Sequence, residues 1–370
     1  MPSTPSIASR RFMVFVIASL LACSQAWGWS FKEHIQFARI AVYRLLQDPQ
    51  TPDDMKAWLK DIAGDVSDMS GQREYFLHTH VGIKPEGLSG ISYWVCQPDI
   101  HALEDKGNVK IEPFGVHERL LHFIDLEMFV PGDTPRNYQH DLSHKPAEGE
   151  IPHDMHDARY IQAGMLPFRI EQCYNELVNS IRAKQFNAPT LKEQELKTAV
   201  YWGGYLAHYL ADNTQPQHTT MDYKSQSYFA DKRRSPNVHA EVEYRMCDDE
   251  VNEFQSLRQE FWRLFVKQLE EFKDPVQSGD LFHQTLEVGL KSYDALPLIG
   301  LAAMHATDQG GTPQHPQGSA QPFDTDKFFR FHGQYMGRDM SVMEMKAIQT
   351  AWAVQRIERI LRQAWIEASH

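Results

Sequence analysis

The sequence predicts an all-α protein built as a single multi-helix domain, and three observations carry that prediction. Apolar residues recur at intervals of three and four, the spacing of one helical face: Phe37, Ala38, Ala41, Val42 and Leu45 near the start, and Ile357, Ile360, Leu361, Ala364 and Trp365 near the end. Histidine and carboxylate fall four residues apart twice, as His208 with Asp212 and His239 with Glu243, which stacks each pair on one face of a helix. The chain carries no internal repeat, coiled coil, glycine-rich phosphate loop or Ser-His-Asp signature.

With 370 residues, 42.8 kDa and 42% hydrophobic content, the chain can bury one large core or two small ones. A net charge of −12 argues against a dedicated polyanion binder but leaves room for a local basic groove. Eighteen histidines suit metal binding without establishing it. Apart from Cys23, the cysteines are Cys96, Cys173 and Cys247; they allow one disulfide at most and are not spaced as a metal cluster.

The N-terminus reads as an export signal. Arg10 and Arg11 precede an apolar core from Phe12 to Ala22, and small residues lie before Trp27 and Trp29. That core is too short to anchor the mature protein across a membrane. Ser9-Arg10-Arg11 partly resembles a twin-arginine signal, and Leu20-Leu21-Ala22-Cys23 a lipoprotein box, so the export route stays open. The expectation is a leader over 1–28, a mature domain over 29–370, and a periplasmic or secreted destination.

The first helix starts near His34, which falls on its buried stripe; a lone histidine there is most often a core residue. Met55 to Gly64 reads as the second helix, and Asp65 follows it in a turn with Ser67 and Asp68. Pro131 to Asp157, with His140, His144, His153 and His156 among its Pro, Gly and Asp residues, reads as a solvated loop. Arg159 to Ala183 and Glu193 to Ala211 read as helices. Gly203 and Gly204 stand one turn before His208, where small residues either admit another segment or accommodate a bulky neighbour.

Gln215-Pro216 then breaks the helix, because proline cannot continue the hydrogen-bond ladder and restrains the residue before it. The break turns His218 back towards His208 and Asp212. Two imidazoles and a carboxylate gathered this way suit a borderline metal such as zinc. Asn252 to Phe272 and Gln284 to Met304 continue in helical register, Thr307 to Thr325 reads as a Gly/Pro/Gln loop, and the last stripe closes the domain.

The string His208-Tyr-Leu-Ala-Asp212-Asn-Thr-Gln-Pro-Gln-His218 resembles the His-Tyr-x-x-Asp-x-x-Gln-Pro-x-His signature of zinc-dependent phospholipases C. The fungal single-strand-specific zinc nucleases share that signature and fold. The resemblance runs from about Trp29 to Glu243, with weaker similarity in the last helix, and nothing after Glu243 looks like an appended lipid-binding β-sandwich. It implies three zinc ions. His122, His208, Asp65 and Asp212 would hold one; His218, His239 and Glu243 the second; the terminal amine and carbonyl of Trp29, with His34, the third, bridged by Asp212.

Each of the less regular positions keeps a rival. Trp27 rivals Trp29 as the mature terminus, though the Trp-x4-His spacing of the nucleases fits Trp29 and His34. Asp68 rivals Asp65, which the resemblance also makes a general base. Leu121-His122-Phe-Ile-Asp125 fits the family's His-containing pattern and implies an insertion over about 75–117, whereas His78 and His80 fit the spacing from Asp65 better but lack the downstream Asp.

The implied chemistry is hydrolysis of a phosphodiester, an anion whose in-line attack piles up negative charge that clustered dications offset. Glu243, where the nucleases carry Asp, and the acidic balance favour a phospholipase C acting on phosphatidylcholine-type lipid at a membrane or micelle surface, with no stable nucleic-acid partner. The alternatives are a single-strand nuclease or 3′-nucleotidase, which needs aromatic platforms for bases, and a non-catalytic periplasmic metal-binding protein.

Overall fold

Apolar stripes and capping signals shape the elements of the computed structural model, which describes residues 29–63, 88–104, 109–130, 145–187, 198–229, 235–244, 255–271, 276, 279–307 and 323–370. Helix α1 spans Phe31–Gln47 and starts at a capping box in which Ser30 Oγ accepts from the Glu33 N–H and Glu33 accepts from the Ser30 N–H. Helix α2 spans Asp53–Ile62, beginning after Pro52 and two residues earlier than the periodicity suggests. Two short helices follow, α3 (Gly90–Trp94) and α4 (Gln97–Glu104).

The helix expected over Arg159 to Ala183 is two: α5 (Tyr160–Ala163) and α6 (Leu166–Arg182). Gly164 causes the break. Its φ of 89° lies where only glycine sits without strain, and a Cβ there would meet the carbonyl oxygen of Phe123 at 2.2 Å. Helix α7 (Ala199–Asp212) is buried along its whole length and ends in a 3-10 turn over Pro216–Thr219. Helices α8 (Val238–Tyr244) and α9 (Gln255–Glu271) come next.

The segment expected as one helix over Gln284 to Met304 also divides, into α10 (Leu281–Tyr293) and α11 (Leu296–Thr307). Pro297 falls in the first turn of α11, where its missing N–H costs nothing. After α12 (Thr325–Arg330) comes an element the helical reading did not anticipate, an antiparallel hairpin of β1 (His332–Tyr335) and β2 (Arg338–Ser341). Its two-residue turn puts Met336 and Gly337 at positive φ, as a primed turn requires. Helix α13 (Val342–Ser369) closes the bundle behind a Ser341–Glu344 capping box.

Helix α13 packs against α1, α6, α7 and α9, and α6 packs along α7, so the all-α core surrounds α7. Ile357, Ile360, Leu361, Ala364 and Trp365 are all buried in that core, as the stripe predicts. Lys346 of α13 is fully buried too, paired with Glu33 at 2.6 Å and donating to the carbonyl of Val242. That pair ties the start of α1 to α8. Cys96 and Cys173 are buried and not joined in a disulfide; Cys247 and the leader expected over 1–28 lie outside the described residues. Among the described residues no helix is long and apolar enough to cross a membrane.

Candidate metal centre

Helix α7 carries the centre. A Cβ on Gly204 would meet the Cβ of Trp94 at 2.4 Å and the backbone N of Val95 at 2.9 Å, so the glycine lets α3 lie directly on α7. That approach brings the carbonyl of Val95 to His208, whose Nδ1–H donates to it at 2.8 Å. A carbonyl can only accept, so neutral His208 keeps its lone pair on Nε2. This nitrogen faces Asp212 Oδ2 at 3.2 Å and Asp99 Oδ1 at 3.6 Å.

A second segment enters from 118–125. The N–H of Ile124 donates to the His218 carbonyl at 2.9 Å, and that of Asp125 to the Ala163 carbonyl at 2.6 Å. Met165 and Leu166 donate to the carbonyls of Leu120 and Phe123. Strapped this way, His122 Nδ1 sits 3.1 Å from Asp212 Oδ2 and 3.7 Å from Asp99 Oδ1. From α1, His34 stacks on His208 at 3.9 Å between ring centres and places Nε2 3.2 Å from Asp212 Oδ1, off the alignment of a hydrogen bond.

The turn made by Gln215-Pro216 delivers His218. Its Nδ1–H donates to the His122 carbonyl at 2.7 Å, which leaves Nε2 facing Glu243 Oε1 at 3.8 Å. On α8, His239 Nε2 lies 2.7 Å from the same oxygen, and Gln215 Nε2 donates to it at 3.2 Å. Three groups of donors result: His34, His208 and Asp212; Asp99, His122 and His208; and His218, His239 and Glu243. All eight side chains are buried.

Burial disfavours the charged form of four of these imidazoles. It lowers His208 to about 4, with the neighbouring His34 adding to the effect, and pushes His34, His122 and His239 down as well. For Asp212 burial alone would raise the carboxyl, but His208, His122 and His34 outweigh it and hold it well below the usual range. Burial, reinforced by Glu33, drives Glu243 well above its usual range.

The fit to metal follows from these lone pairs. Nitrogen lone pairs aimed at carboxylate oxygens in a dry interior repel unless a proton or a cation lies between them, and one divalent cation satisfies several such pairs at once. Asp212 Oδ1 and Glu243 Oε2 are buried without a hydrogen bond. Nitrogen and carboxylate donors without thiolate suit zinc or a similar divalent ion.

Of the residues expected at the site, His34, His122, His208, Asp212, His218, His239 and Glu243 come together. Trp29 is fully buried beside them, its indole N–H donating to the Ala211 carbonyl at 2.9 Å and to Thr214 Oγ1 at 3.2 Å. Asp65, Asp68, His78 and His80 lie outside the described residues. Asp99 was missed, and it comes from the stretch expected to be an insertion. It stands on α4 with no histidine three or four positions away in the cluster, so spacing offers no signal for it.

One cavity of about 180 Å³ reaches the centre at His218. Arg119, Phe123, Asp125, Gln217, Thr220, Met221 and Tyr223 line the rest of it. Burial, with Glu127 adding, raises the Asp125 carboxyl well above its usual range, so it can donate a hydrogen bond. The chain matches no protein-family model, no curated protein and no solved structure.

Proposed function

We propose that the chain is a zinc-dependent phosphodiester hydrolase of the phospholipase C and single-strand nuclease fold. The observation that carries this reading is the convergence of five buried imidazoles and three buried carboxylates next to a cavity. His34 and Asp212, with Trp29, would hold one zinc; Asp99 or Asp65, with His122, His208 and Asp212, a second; His218, His239 and Glu243 the third. Bound zinc supplies positive charge against the anionic phosphodiester and makes water acidic enough to attack near neutral pH.

The chain's own groups divide the remaining work. Val95 and the His122 carbonyl fix the tautomers of His208 and His218. Asp99 or Asp65 orients the attacking water and takes its proton. The cavity beside His218 receives the substrate group next to the phosphate. A purely structural metal protein would have no use for that opening.

The substrate proposed first is a phosphatidylcholine-type lipid, cleaved to diacylglycerol and a phosphorylated head group by an exported enzyme. Glu243 supports it: one methylene longer than Asp, it sets the third position farther from α8. The cavity favours the second reading, a single-strand nuclease or 3′-nucleotidase. Arg119 repels a quaternary ammonium, while Phe123 and Tyr223 offer faces for a base and Asp125 and Gln217 offer hydrogen bonds to its edge.

One experiment decides between them. Purified protein is assayed on phosphatidylcholine and on single-stranded DNA under matched zinc and pH, with metal counted on the same sample. Faster lipid cleavage supports phospholipase C, and faster nucleic-acid cleavage replaces it with the nuclease. Full activity on either in metal-free protein overturns the zinc reading altogether.

A further inference from the structure

We propose that His153, Asp280 and His283, with Glu171 beside them, form a separate surface site for one divalent transition ion such as zinc. It shares no residue with the buried centre. One donor atom from each of His153, Asp280 and His283 lies within 4.8 Å of the other two. Zinc bonds of about 2.0–2.2 Å place tetrahedral donors roughly 3.4 Å apart. These side chains are 42%, 57% and 50% exposed, so rotamer changes alone can close the difference.

The donors come from three segments and are already held in place. His153, in the connection before α5, stacks flat on Phe282 at 3.8 Å and 7°. Its Nε2 lies 3.0 Å from Glu171 Oε2 on α6. His283 stands edge-on to His153, with ring centres 5.9 Å apart, and its Nδ1 lies 2.6 Å from Asp280 Oδ2. The solvated loop expected around His153 is therefore anchored at this point by a ring stack and a hydrogen bond.

A simpler account covers part of the cluster. Asp280 is the N-cap of α10 and accepts from the His283 N–H at 2.9 Å, which needs no metal. It leaves unexplained why a second imidazole and a second carboxylate converge there from other segments. The helix dipole opposes a cation with about half a positive charge. Two carboxylates outweigh that, and two imidazoles supply the nitrogen donors a borderline ion prefers. An ion held here would join α6, α10 and the connection before α5.

The test is zinc titration of the full chain by calorimetry and native mass spectrometry, after gel filtration has removed loosely held metal. Wild type is compared with a His153→Ala/His283→Ala variant and with His283→Gln; Asp280 is left intact because it caps α10. The proposal expects one ion more per chain in wild type than in the double variant and at least tenfold weaker uptake in His283→Gln, with each variant still folded in EDTA by circular dichroism. The same one-ion difference should persist in an Asp212→Asn background, which perturbs only the buried centre. Equal stoichiometry in wild type and the double variant overturns the surface site and leaves the buried one untouched.

Discussion

Gly204 and Trp94 are in contact so close that the glycine's missing side chain is what lets α3 reach α7: an added Cβ would stand 2.4 Å from the Trp94 Cβ. Gly204→Ala should therefore push α3 away and weaken the Val95–His208 hydrogen bond. The expected cost is about 1–3 kcal/mol, typical of overpacking, accompanied by reduced metal content. Gly203→Ala is the control, since its nearest neighbours are side chains at 3.7 Å, and alanine in a helix gains about 0.5–1 kcal/mol over glycine. Urea midpoints check both; equal effects at the two positions would contradict the role given to Gly204.

Asp212 touches His34, His122 and His208 at 3.1–3.2 Å. Asp212→Asn keeps its shape but removes the charge that the first and second proposed zinc positions would share. It should lower bound metal by more than one ion per chain, measured by elemental analysis on folded protein. An unchanged metal count with unchanged activity would reduce α7 to a structural helix.

Asp99 and Asp65 compete for one role. Asp99→Asn should lower metal content and cut turnover at least tenfold, because Asp99 faces both His122 and His208. If Asp65→Asn alone has that effect and Asp99→Asn is silent, the expected ligand stands and Asp99 is only a neighbour.

Metal-free protein should lose stability in acid within a defined window. Burial lowers His208 from the usual 6.5 to about 4. Between those values the unfolded chain binds a proton that the folded chain does not, so stability falls as pH drops from 6.5 towards 4. Above 6.5 this term is constant. Urea midpoints of the metal-free protein at pH 7.5, 5.5 and 4.5 should decline in that order, with a shallower decline in His208→Gln. A flat profile would contradict the burial of a neutral imidazole.

The parts of the centre legible in the sequence are those where one helix turn sets the geometry. His208 with Asp212 and His239 with Glu243 follow from four-residue spacing, and His218 from the proline break. His122 needed a pattern of neighbouring residues rather than a period. Asp99 was hidden because its partners arrive through tertiary contacts: Trp94 on Gly204, then Val95 on His208. The break at Gly164 was hidden for a similar reason, since the Phe123 carbonyl of another segment takes the space a Cβ would need there. The hairpin's Met336-Gly337 turn was masked by the helical periodicity on either side.

Helix α13 has a consequence for the order of events. The buried donors enter the chain between residues 34 and 243, yet the helix that packs over α1, α6 and α7 follows all of them. Contacts this distant in sequence carry a large loop-closure cost and form slowly. The proposed coordination should therefore be completed only after α13 has docked over α1, α6 and α7. Fragments ending before Val342 should hold ions poorly, and metal retention becomes an assay of whether a chain has finished folding.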